Sequence, residues 1–99
     1  MEPMIIETPY TRNDTITLKT MAGEEVIGRF ETEDASHITV SKPMAIMANG
    51  QGLGLGPFAF TISPDSKVKL NKAGILFIHK TDAEMAKQYV TSTTGIHTA

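Results

Sequence analysis

Apolar and polar residues alternate with a period of two along much of this chain, the spacing of strands with one wet face. From Thr15 to Thr20, Ile16 and Leu18 fall on one side and Thr15, Thr17 and Lys19 on the other. Met21-Ala22-Gly23-Glu24 supplies a turn, and Glu25 to Glu33 alternates again. Val26, Gly28, Phe30 and Thr32 take the core face of this second strand, while Ile27, Arg29, Glu31 and Glu33 take the mostly wet one. Glycine inside a strand costs roughly 0.5–1 kcal/mol, so Gly28 reads as a sharp bend or a close backbone approach, as a small closed barrel needs.

After Asp34-Ala35-Ser36 a third strand points Ile38 and Val40 inward. Pro43 withdraws a backbone donor and interrupts central pairing, and the apolar residues Met44 to Ala48 can resume the strand past a kink. Alternate glycines weaken register through Asn49 to Pro57, which reads as a long flexible loop. Phe58-Ala59-Phe60-Thr61-Ile62 restores a strand and Lys67 to Leu70 alternates. Beyond the turn residues Asn71 to Gly74, the run Ile75-Leu76-Phe77-Ile78 reads as a strand buried on both faces. Thr81 and Glu84 match a capping box, so a helix is expected from about Asp82 to Val90. Ala86, Tyr89 and Val90 form its apolar stripe, and residues 91–95 end it. The chain thus divides into an arm (1–14) ordered by whatever binds it, a β unit (15–80), and a helix with a tail (81–99).

Ninety-nine residues suit one domain with one core. The absence of cysteine excludes disulfides, thiolate metal sites and cysteine nucleophiles. No apolar run approaches the roughly 18–20 residues that cross a bilayer, and the start has no basic region followed by an apolar core. A cytoplasmic location and no membrane partner are therefore expected. The net charge of -2 argues against strong general affinity for nucleic acid, which needs many cations displacing counterions from phosphates. Glu24, Glu25, Glu31, Glu33 and Asp34 cluster, whereas Lys67, Lys69, Lys72 and Lys80 span a stretch without an acid. These are solvated faces, or complementary faces between subunits, or a basic rim.

The side chains offer little chemistry. His37, His79 and His97 lack metal-ligand spacing, so neither a metal nor a cofactor is expected. The glycine stretch is not followed by Gly-Lys-Ser/Thr and opens no helix, which removes the usual phosphate cradle. Asp34, Ser36 and His37 are the residue types of a hydrolase triad, yet so close along one turn they cap their own backbone instead. No catalytic residue and no enzymatic activity are expected. His37, on a surface loop, is the candidate for stacking on a base.

Ile16-x-Leu18, Gly23, Val26, Gly28, Phe30, Asp34, Ile38 and Val40 resemble the first motif of the Sm/LSm family, with Lys72-Ala73-Gly74 and the strand after it standing where the second motif has an arginine-glycine pair. The resemblance leaves out the arm, the glycine stretch and the terminal helix, and suggests a divergent branch similar to small Sm-like proteins of bacteriophages. It implies a mainly β fold: a strongly bent, five-stranded open barrel, here with a short C-terminal helix. Such subunits assemble into rings by pairing the fourth strand of one with the fifth of the next. In this chain that implies an interface of Phe58, Phe60, Ile62, Ile75 and Phe77. In RNA-binding members the loop after the second strand and the arginine-glycine loop hold RNA, which carries over to Asp34 and His37, and to Lys72 and Gly74. The motif's asparagine is absent, with His37 the nearest polar residue, and Lys72 brings a point charge instead of arginine's planar fork. The expected function is a ring-forming module that binds single-stranded RNA as a chaperone or scaffold. The alternative is an assembly or adaptor protein with the same ring and protein partners.

Overall fold

The alternating segments pair in sequence order as an antiparallel meander. In the computed structural model, which describes residues 10–59 and 61–94, β1 (Thr15–Thr20) pairs with β2 (Glu25–Glu33), and β2 with β3 (His37–Asn49). The turn between β1 and β2 uses Gly23 at φ +100°, a backbone state that other residues adopt at a cost. Beyond β3 come β4 (Gly52–Pro57), β5 (Lys67–Asn71), a single 3₁₀ turn (Lys72–Gly74), β6 (Ile75–Lys80) and the helix α1 (Ala83–Thr94). β6 returns to pair with β1, so the sheet runs β4-β3-β2-β1-β6 with β5 also on β3. No helix among the described residues is long and apolar enough to cross a membrane.

β3 has one neighbour on its β2 side and two, in succession, on the other. His37 to Ser41 pair with β5 and Met44 to Asn49 pair with β4. β4 and β5 are thus two halves of one outer strand, and residues 58–66 leave the sheet between them. The partner changes at Lys42 and Pro43, where a register shift sets these two residues opposite Gly28 alone. Such a bulge bends the strand. Lys42 adopts φ 52°, and Pro43, lacking an N–H, sits where no ladder bond is needed from it. A Cβ on Gly28 would stand 3.1 Å from Val40 Cβ and 3.3 Å from its Cγ2, so the expected close approach is real.

The barrel core consists of Ile16, Leu18, Val26, Phe30, Ile38 and Val40, joined by Tyr10 and flanked by Phe58, Leu70, Ile75 and Ile78. Tyr10 meets Phe30 edge-on with ring centroids 4.8 Å apart. Residues 10–14 therefore belong to the barrel and not to the arm: the Asn13 amide donates to the Phe30 carbonyl, and the Phe30 amide to that of Asp14. Residues 1–9 of the expected arm lie outside the described residues.

Four expectations change. The glycine stretch is not a loop, because Gly52 to Pro57 form β4; glycine gives no propensity for a strand, and the pairing with β3 supplies what propensity does not. No strand forms over 58–62 among the described residues: Phe58 and Ala59 lie in irregular chain with Phe58 packed against the core, Ile62 sits in a bend, and Phe60 lies outside the described residues. The strand Ile75–Lys80 is not buried on both faces, since Leu76 is 59% and Phe77 52% exposed. The helix cap is Asp82, whose Oδ1 accepts from the Glu84 amide at 3.1 Å, while the Thr81 amide still donates to Thr15 of β1.

The helix also runs further than expected, to Thr94; Gly95 and His97 lie outside the described residues. Of its expected stripe, Tyr89 is fully buried, Ala86 half-buried and Val90 exposed. The Tyr89 hydroxyl donates to the Lys42 carbonyl at 2.7 Å and the Ser41 carbonyl at 3.2 Å, fastening α1 to the bend of β3. Ile27, expected on a wet face, is fully buried and outside the barrel core, and it lines a cleft with Met85 and Gln88 of α1. The helix hides a position that alternation alone assigns to solvent.

Candidate functional site

The loop joining β2 to β3 is built around one carboxylate. Asp34 Oδ1 accepts from the amides of Ser36 and His37, each at 2.8 Å, and from the Ser36 hydroxyl at 3.3 Å. The Asp34 amide donates to the His37 carbonyl, closing the turn. These bonds, from Ser36 first and His37 next, hold the Asp34 carboxyl below its usual range, because an ionised acceptor suits two convergent donors. The Ser36 hydroxyl also lies 2.8 Å from His37 Nδ1. The three residues thus cap their own backbone, as expected of so short a spacing.

Pairing of β3 with β5 sets Asn71 opposite His37 and carries the second loop onto the first. The Lys72 amide donates to the Ser36 carbonyl at 2.8 Å, and its ammonium donates to the Asp34 carbonyl. Asn71 caps the 3₁₀ turn by accepting from the Ala73 amide at 2.8 Å. The Gly74 carbonyl accepts from Met21, and a Cβ at Gly74 would meet nothing within 4 Å. Two loops far apart in sequence, holding Asp34 and His37 on one side and Lys72 and Gly74 on the other, therefore form one patch.

Lys72 is not a solitary cation in that patch. Its ammonium lies 3.0 Å from Glu33 Oε1, and the Tyr10 hydroxyl donates to the same carboxylate at 3.2 and 3.3 Å. Burial, and then the adjacent Glu33 charge, push the Tyr10 hydroxyl up to about 12. Glu33 and Tyr10 carry no signal in the sequence for this role: Glu33 reads as one wet-face residue among several, and Tyr10 as part of an arm. Around the patch, Lys67 and Arg12 both approach Glu31, at 3.9 and 3.2 Å. No group of three or more metal-ligating side chains gathers among the described residues.

The second candidate surface is the seam of the barrel. Among the described residues β5 pairs with β3 alone and β6 with β1 alone, so each presents an outer edge. Leu76 and Phe77 on β6, with Met21 beside the 3₁₀ turn, make that edge apolar and exposed. Of the residues implied for an interface, Phe77 lies on this surface and Ile75 is half-buried against the core. Phe58 and Ile62 lie elsewhere, in the segment between β4 and β5.

No protein-family model matches the chain, and no curated protein matches it. Among solved structures the chain is similar to a heptameric archaeal Sm protein, with a TM-score of 0.51 and 11% identity, covering 71% of this chain and 88% of that one. At that identity the likeness is one of fold. The mainly β architecture, with its bulged third strand, its outer strand split into β4 and β5, and one C-terminal helix, is accordingly an Sm-like fold.

Proposed function

We propose that the protein is a ring-forming Sm-like subunit that acts as an assembly scaffold for protein partners. The observation that carries this reading is the seam: two outer strand edges, one of them lined by exposed Leu76, Phe77 and Met21. An unpaired edge invites another chain, and head-to-tail pairing of β5 on β6 of the next subunit satisfies both edges without forming fibres, provided the ring closes. The interface in this reading is Lys67–Asn71 against Ile75–Lys80, which keeps Ile75 and Phe77 and replaces Phe58, Phe60 and Ile62. The heptameric state of the archaeal neighbour supports a closed ring. Seven copies of the 10.7 kDa chain give about 75 kDa. Size-exclusion chromatography with light scattering is expected to return a mass of several subunits, and Phe77→Glu to return one near 10.7 kDa. A wild-type monomer at every concentration refutes the ring.

Single-stranded RNA is the second reading, favoured by the convergence of the His37 and Lys72 loops into one patch. Against it stands the pairing of Lys72 with Glu33, which spends the charge a phosphate would need, and the net charge of -2. RNA held there would be bound weakly and with few ionic contacts. Affinity for a uridine-rich oligonucleotide that falls with salt and drops on Lys72→Ala favours RNA as the ligand. Absence of binding at low salt leaves the protein-partner scaffold as the function.

A further inference from the structure

The sheet ends on β4, whose outer edge meets no other strand among the described residues. Strand edges are commonly guarded by charge, by proline or by a bulge, because unpaired N–H and C=O groups template a new strand. The other two edges carry such guards: β5 has Lys67 and Lys69, and β6 ends on His79 and Lys80. β4 does not. Charged residues make up 20% of the chain, yet none falls between Lys42 and Asp65, and the one proline of β4 is its last residue. Both faces of the β3–β4 hairpin are apolar as well. Ile46, Leu55 and Leu53 share one face, with Leu53 61% exposed, and Met47 stands 47% exposed on the other.

Only an extended backbone satisfies a row of alternating donors and acceptors, so the occupant of this edge is a strand. We propose that it is β4 of a second copy, paired antiparallel about a two-fold axis at Gly54. Two observations commit the edge to it. The first is charge. A two-fold axis sets one surface against itself, so any charge near the axis meets its own sign. β5 against β5 would bring Lys67 and Lys69 up to their copies, whereas β4 against β4 brings no charge at all. The second is the alternation within the strand. With the axis at Gly54, Leu53 stands across from Leu55 of the second copy, and Gly52 across from Gly56. All four leucines then lie on one face, where cross-strand apolar pairs stabilise a sheet. The row runs from Ile46 and Leu55 to Leu53 and Ala48 of the second copy without a polar break. Pro57 falls opposite the turn at Gln51, where no ladder bond is needed from it.

This pairing uses neither β5 nor β6, so it goes beyond the ring and is independent of it. It is weak by itself: a strand of six residues buries far less than the roughly 1,000 Å² of a lasting interface. Phe77→Glu subunits therefore separate at chromatographic dilution and meet through β4 at millimolar concentration. Subunits already held in a ring present one such edge each, and their contacts act together.

The test is a methyl NMR dilution series on the full-length Phe77→Glu protein, mixing leucine-labelled with unlabelled copies. The Leu53 and Leu55 signals are expected to shift with concentration while the buried Leu18 methyls stay in place, and Leu53 of labelled copies to show nuclear Overhauser contacts to Leu55 of unlabelled ones. Leu53→Lys is expected to weaken association roughly tenfold through the loss of two leucine pairs. Mixing Leu53→Lys with Leu55→Glu is expected to recover it, because the two new charges then face each other. The Leu18 signals report whether each variant is folded; if Leu55→Glu is not, Leu53→Lys and the contacts decide alone. β4 leucine signals that ignore concentration overturn the inference, as does a Leu53→Lys variant that associates as tightly as its parent. Contacts from Leu53 to Leu53 of the other copy also overturn it, by placing the axis elsewhere. A wild-type chain of monomer mass refutes the ring and leaves this pairing to be decided by the β4 signals.

Discussion

Replacing Tyr89 by phenylalanine tests how α1 is held on the barrel, and its effect is expected to change sign with pH. The hydroxyl donates to two carbonyls at the bulge, so its loss at neutral pH leaves both short of a donor, at a cost of about 1–2 kcal/mol. Burial pushes the Tyr89 hydroxyl from 10.0 up to about 12. Because the folded-state value lies above the unfolded one, the stability linked to the protonated form is complete below pH 10 and drains away as pH rises toward 12. Two units at about 1.4 kcal/mol each remove about 3 kcal/mol from the wild type across that window. The phenylalanine variant has no such group and loses none of it, although Tyr10, raised to about 12 as well, titrates in both proteins. Guanidinium unfolding followed by circular dichroism is therefore expected to rank the wild type above Tyr89→Phe below pH 10 and beneath it near pH 12. Stability curves that stay parallel through the window refute the account. A companion Tyr89→Ala variant, which also empties a buried site, is expected to cost about 3–5 kcal/mol at neutral pH.

Gly28→Ala is expected to cost about 1–3 kcal/mol by urea denaturation, because the added methyl meets Val40 at 3.1 Å across a bulge that cannot open without straightening β3. The Asp34 carboxyl, held below its usual 3.8, contributes stability above that value and loses it as pH falls through the lower folded-state value; a carbon-detected NMR titration is expected to show it ionising below an unfolded-chain reference. Asp34→Ala is expected to speed amide exchange at Ser36 and His37, the two donors it leaves without an acceptor, ahead of the rest of the sheet.

Strands that pack one face against a core declare themselves, and β1, β2 and the first half of β3 follow the alternation of Ile16, Leu18, Val26, Phe30, Ile38 and Val40. Gly28 is legible for the same reason: a glycine among core-facing residues asks for a close neighbour, and Val40 is that neighbour. The meeting of the Asp34 and Lys72 loops was legible through the Sm-like motif and not through any local property. β4 was hidden because glycine carries no strand signal, and its order comes from β3 alone. Tyr89 is legible as part of the apolar stripe of α1, whereas the burial of Ile27 depends on where α1 lands, a long-range event that periodicity does not encode. The clasp of Tyr10, Glu33 and Lys72 was out of reach for a similar reason, since it joins three segments through polar atoms that each look solvated alone.

The division of the outer strand has a consequence for how the chain tolerates changes in its own length. In an unbroken strand an inserted residue slips everything after it to the opposite face. Here β4 and β5 each take their alignment directly from β3, so residues added to the exposed turn at Ser63 to Asp65 are absorbed outside the sheet. The edge that would meet a neighbouring subunit keeps its facing while the segment ahead of it lengthens or shortens, which makes that turn the natural place to insert a label, an epitope or a second domain.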